Sequence, residues 1–96
     1  MIICRVVGHV WATKKEESLT GLKLMVVREI GASGDLEGSA FVAVDVVGAG
    51  IGEQVLVVSG STARIAAGGG DVPADCAIVG IIDTLEVERE KEGNVK

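Results

Sequence analysis

Residues 41–64 read FVAVDVVGAGIGEQVLVVSGSTAR, and this stretch decides the fold. Two β-rich runs, 41–47 and 54–58, flank a glycine-dense turn at 48–53. A second turn of small residues, 59–62, closes the stretch. Val and Ile are stiff at χ1 and suit a pleated surface. Glycine takes positive φ and lets another backbone come close. The reading is strand, special turn, strand, special turn. Turns of this kind line a ligand site, a pore or a subunit contact, and the chemistry around them must choose.

Working outward adds three more strands. In residues 1–7, Ile2, Cys4 and Val6 share one face and Ile3, Arg5 and Val7 the other. Gly8 interrupts this run before Val10, Trp11 and Ala12 resume it, which marks a bulge or a barrel corner. After a polar link, 22–30 alternates again: Leu22, Leu24 and Val26 against Lys23, Met25, Val27 and Glu29. Residues 31–38 have the composition of a surface loop. The third strand spans 40–47, with Asp45 on the same face as Phe41, Ala43 and Val47. A charge among apolar neighbours needs a partner. Asp45 is read as accepting hydrogen bonds from nearby turn amides, not as catalytic. Ser61 is expected to cap a short helix over 61–67, ended by Gly68, Gly69 and Gly70. The fifth strand is expected over 77–87. The sequence therefore predicts an all-β fold: a five-stranded OB-like closed barrel with one short helix before the last strand. Closure removes the sheet edges. The expected division is a barrel domain at 1–88 and a charged C-terminal tail at 89–96, frayed at its end.

Composition narrows the function. The chain has 96 residues, 48% of them hydrophobic, which suits one globular domain. It has one Trp, one Phe and no Tyr, so its core must come from Val, Ile, Leu and Ala. A domain this small buries only about 60–65% of its unfolded surface, so the apolar excess hints at an oligomer. The net charge of −5 and the scattered basic residues argue against nucleic acid. No apolar run is long enough for a transmembrane helix, so no membrane partner is expected. The start, MIICRVVGHV, lacks the basic leader and cleavage site of a secretory signal. Cys4 and Cys76 are expected as reduced, buried thiols.

No catalytic constellation emerges. After Gly48 and Gly50, Glu53 stands where a dinucleotide fingerprint needs its third glycine, and no long helix follows. No P-loop is present. With one histidine, His9, and no paired cysteines, no metal site is expected. Ser18, Ser59 or Ser61 would need His9 as base and Asp45 or Asp83 to orient it, and nothing in the spacing supports that. Asp45 and Glu53 could pair as carboxylates, but the aromatic side chains of a sugar cleft are missing. Catalytic residues, metal and cofactors are all expected to be absent. Base stacking on an OB-type surface would have only Phe41 and Trp11 to work with.

Taken together, five segments resemble the EutN/CcmL family, the vertex proteins of bacterial microcompartments and carboxysomes. They are GHVWATKK at 8–15, LTGLKL at 19–24, VAVDVVGAGIGE at 42–53, VLVVSGSTAR at 55–64 and PADCAIVGIID at 73–83. The resemblance implies a non-enzymatic shell protein whose OB-like barrel assembles into a pentamer at the vertices of a polyhedral shell. Its partners would be further copies of itself and the hexameric and trimeric proteins of the facets. Its expected location is the cytoplasm, within the shell. The resemblance places the turn formed by Gly48, Ala49, Gly50, Ile51, Gly52 and Glu53 near the five-fold axis, where five backbones converge. It places Thr13, Lys14 and Lys15 at a rim touching neighbouring subunits or facets. Arg64 could pair with Asp45, Glu53 or Asp83, within or between subunits. The competing readings are a small OB-type binding module for a peptide or single-stranded nucleic acid and, less supported, a small enzyme.

Overall fold

The computed structural model describes residues 1–12, 17, 21–69 and 74–85. Five strands close in the order β1-β2-β3-β5-β4. They are β1 (Ile2–Val10), β2 (Lys23–Ile30), β3 (Leu36–Asp45), β4 (Gln54–Ser59) and β5 (Cys76–Ile81). One helix, α1 (Ser61–Ala66), precedes β5. All pairings are antiparallel except β3 with β5, which run parallel and share only Val44 with Ala77 and Asp45 with Ile78.

Alternation along the strands fills the barrel. Cys4 and Val6, Met25 and Val27, Ala43, Val55 and Val57, and Ile78 point inward and are buried, with Phe41 packed against them. Fully burying a Val or Ile side chain stabilises by about 1.5–3 kcal/mol, so a core without large aromatics still suffices. Outside the barrel, α1 lays Ala63 and Ala66 over Val58, Ala77 and Val79. Ala67 and Ala74 lie against Val44, Leu22 and Leu24.

Several expectations change in detail. The register of β1 on β2 slips between Val6 and Gly8, so the glycine does mark a bulge. β3 begins at Leu36, inside the stretch expected to be loop. Residues 38–40 of β3 stand opposite Arg28 alone, and the Arg28 Nε donates to Gly38 O at 2.7 Å across that bulge. β3 stops at Asp45, not at Val47, because its carboxylate takes the next amides. β5 stops at Ile81 and not beyond it. Ile82 N donates to Gln54 O, where β4 begins, so no strand lies opposite Asp83. The expected continuation at 86–87 and the tail at 89–96 lie outside the described residues. Ser61 does not cap the helix: Gly60 occupies the cap position at φ 69°, without a side-chain bond.

Candidate functional site

The turn after β3 is built on Asp45. Its side chain is fully shielded from solvent. Oδ1 accepts from Val47 N and Gly48 N at 3.0 Å each, and Oδ2 accepts from Ala49 N at 2.7 Å. Lys23 Nζ lies 3.3 Å from Oδ2 and donates to Ala49 O at 2.8 Å. The buried charge thus has three amides and an ammonium, which is what a carboxylate inside a barrel requires. Beyond Ala49 the turn closes on itself. Gly50 N donates to Glu53 Oε1 at 2.7 Å and Glu53 N to Gly50 O at 3.1 Å. It is also stitched to β1: Gly52 N donates to Val6 O and Val6 N to Glu53 O. Gly48 at φ +84° and Gly52 at φ +96° occupy the left-handed region that side chains avoid. Gly50 does not, and a Cβ there would meet only Glu53 Oε1, at 3.6 Å.

With most of its amides engaged by Asp45, Glu53 and neighbouring strands, the turn presents apolar side chains outward. Val46, Val47 and Ile51 are exposed, Ile51 to 65%. The register brings others to the same end of the barrel. Lys23 pairs with Asp45 and Val10 with Leu24, so the end of β1 and the start of β2 flank the turn. Val7 and Trp11 are exposed there, Trp11 to 85%, and Ile81 follows at the end of β5. Among the described residues, six of the ten exposed large hydrophobics therefore lie toward this end, the other four being Met1, Val42, Ile65 and Leu85. Exposed apolar surface gathered at one place is a general feature of contact sites.

The remaining sequence-predicted residues divide. Thr13, Lys14 and Lys15 lie outside the described residues. Asp83 is exposed on the bend after β5. Arg64 sits in the last turn of α1, and among the described residues it makes no ion pair. Asp45 takes Lys23 as its partner instead. The alternation signal was present: Lys23 shares the face of Met25 and Val27, so a lysine on the core face of β2 needs a carboxylate at the barrel end. Sequence reasoning also missed that His9 and Trp11 touch. Their rings lie edge to face, with centroids 4.1 Å apart. His9 Nδ1 is shielded from solvent and finds no hydrogen-bond partner among the described residues.

Little in this arrangement can do covalent chemistry. Asp45 and Glu53 are both engaged by amides of one turn. Ser59 and Ser61 lie at the far end of β4, away from the rim that holds His9. Cys4 and Cys76 are free thiols. Burial, then the charges of Glu29 and Cys76, pushes the Cys4 thiol up to about 11. Burial and Asp75 raise Cys76 as well. Both stay protonated near neutrality and are poor nucleophiles. Among the described residues no group of three or more His, Cys, Asp or Glu side chains could hold a metal. Phe41 is packed against the barrel core and Trp11 stands on the rim, so the two offer no shared stacking surface.

Fold and rim together define a small closed barrel with exposed apolar side chains gathered at one end. Comparison with known proteins gives its family. The family described as "Ethanolamine utilisation protein EutN/carboxysome" matches residues 1–83. The microcompartment shell vertex protein PduN of Salmonella typhimurium is 48% identical over 89 residues, covering 88% of this chain and 98% of that protein. The carboxysome shell vertex protein CcmL of Thermosynechococcus vestitus is 48% identical over 85 residues, covering 88% of this chain and 86% of that protein. The solved structure of GrpN, a pentameric microcompartment shell protein from Rhodospirillum rubrum, superposes with a TM-score of 0.84 at 44% identity, covering 92% of this chain and all of that one. The chain belongs to the EutN/CcmL family of microcompartment and carboxysome shell vertex proteins.

Proposed function

We propose that this chain closes the five-fold vertices of a bacterial microcompartment shell as a ring of five copies and catalyses nothing itself. One observation carries the reading. The Asp45-bound turn is held by bonds from most of its amides yet holds Val46, Val47 and Ile51 out to solvent. Such a turn is costly alone and useful where copies meet. A closed ring uses heterologous contacts, so each subunit offers two different patches to its neighbours.

In this reading Gly48, Ala49, Gly50, Ile51, Gly52 and Glu53 converge at the axis. Thr13, Lys14 and Lys15 meet adjoining subunits or the hexameric and trimeric facet proteins. Arg64 and Asp83, neither ion-paired among the described residues, meet across the contact between copies. Residues 1–88 form the shell domain, and 89–96 are a solvated tail. The test is native mass spectrometry with light scattering across a dilution series. A stable five-subunit ring is expected, and a persistent monomer overturns the reading. Charge reversal at Lys14 and Lys15 should leave the ring intact and impair shell closure with facet proteins. Normal closure removes those two lysines from the contact.

A further inference from the structure

We propose that Trp11, braced by His9, is the anchor with which each copy in the ring seats itself on the next copy. The proposal rests on the ring described above and assigns its contact to particular side chains.

Among the described residues, Trp11 is the most exposed of the large apolar side chains, at 85%. Left in water, a bare indole is unfavourable, and buried tryptophans are over-represented among the side chains that dominate binding. It is also held in place: the His9 ring packs against it edge to face at 4.1 Å. A side chain fixed before contact loses little freedom on being buried. His9 supplies an independent observation. Its Nδ1 is cut off from solvent and has no hydrogen-bond partner among the described residues. A shielded polar atom without a partner is a rare feature of folded chains and calls for one. A group arriving with the surface that covers Trp11 can provide it.

The occupant is a second copy for two reasons. The end of β1 that carries Trp11 and the turn that bears Val46, Val47 and Ile51 flank the start of β2 at one end of the barrel, so whatever covers one borders the other. A ring contact also needs a receiving surface that does not overlap the projecting one. In the closed order β1-β2-β3-β5-β4, both β3 and β5 stand two strands from β1. On β3, Val42 is exposed three residues before Asp45 and apart from the rim, and offers an apolar surface to receive the indole.

The chain contains one Trp and no Tyr, so its intrinsic emission reports Trp11 alone. Acrylamide quenching of the full-length ring, with its mass verified on the same sample, reads the proposal directly. The expected quenching constant is several-fold below that of N-acetyltryptophanamide, with blue-shifted emission. A verified ring whose Trp11 is quenched like the free indole overturns the anchor while leaving the ring standing. So does a ring in which Trp11 becomes shielded only on adding facet proteins. A persistent monomer overturns both. In parallel, Trp11→Ala should raise the protein concentration for half-assembly by about 30-fold or more, with an unchanged circular dichroism spectrum. His9→Phe keeps the packing but removes the nitrogens, and should raise that concentration by about fivefold. Unchanged assembly in Trp11→Ala overturns the proposal.

Discussion

Two glycine-rich turns link strands in this barrel, at opposite ends, and they are made differently. Residues 31–35 join β2 to β3 with polar chemistry. Gly31 N donates to Asp35 O, Gly34 N to Gly31 O, and Ser33 Oγ to Asp35 Oδ2, the last bond lying in solvent. Residues 46–53 join β3 to β4 with a buried carboxylate beneath and Val46, Val47 and Ile51 above. Both use left-handed glycines, Gly34 at φ +93° and Gly52 at φ +96°. The glycines fix only that the chain bends. The side chains between them fix what the bend presents, which is polar groups in one case and, in the other, apolar groups suited to the proposed contact between copies.

That contrast can be broken at several points, taken in order of their expected effect on the stability of the single chain. Asp45→Ala removes the acceptor of three amides and strands Lys23, and should cost about 3–5 kcal/mol in urea unfolding. A loss no larger than that of Asp35→Ala would mean the two turns are held alike. Gly52→Ala and Gly34→Ala should each cost about 1–2 kcal/mol, because both force a Cβ into the left-handed region. Only Gly52→Ala should also weaken the ring, as read by native mass. Gly50→Ala should change single-chain stability by less than about 0.5 kcal/mol, since that φ is ordinary and a Cβ there has room, and the bulkier Gly50→Phe carries the test of assembly. The Phe variant should impair the ring or narrow its axial opening. Normal assembly with an unchanged axis would remove Gly50 from the contact. Ser33→Ala should be the quietest, within about 0.5 kcal/mol on stability and without effect on assembly.

Much of the fold was legible because alternation is a local signal. Five strands, their order along the chain and the short helix all follow from runs of Val, Ile and Leu broken by glycine. Asp45 was legible too, since a carboxylate on a core face followed by small residues has turn amides within reach. The ends of strands were not. β3 starts within a glycine- and serine-rich stretch because β2 pairs with Leu36 and Glu37 before the chain bulges at 38–40. β5 stops at Ile81 because its partner strand begins at Gln54. Both depend on where another strand begins or ends, which no local pattern records. The rim was hidden for a similar reason. Val7, Val47 and Ile81 sit in apolar runs that look like core, and only barrel closure leaves them outside.

The Asp45 bracket has a consequence for geometry at a vertex. Whether a ring closes at five members or six turns on a modest difference in the angle between adjacent copies. The turn proposed to bear the contact is pinned by bonds inside one chain, from three amides to Asp45 and from Lys23 to Ala49. Its pose is set before any neighbour arrives, and little ordering remains to be done on contact. In the proposed ring the buried carboxylate is in that sense an angular gauge, set in the interior of each subunit.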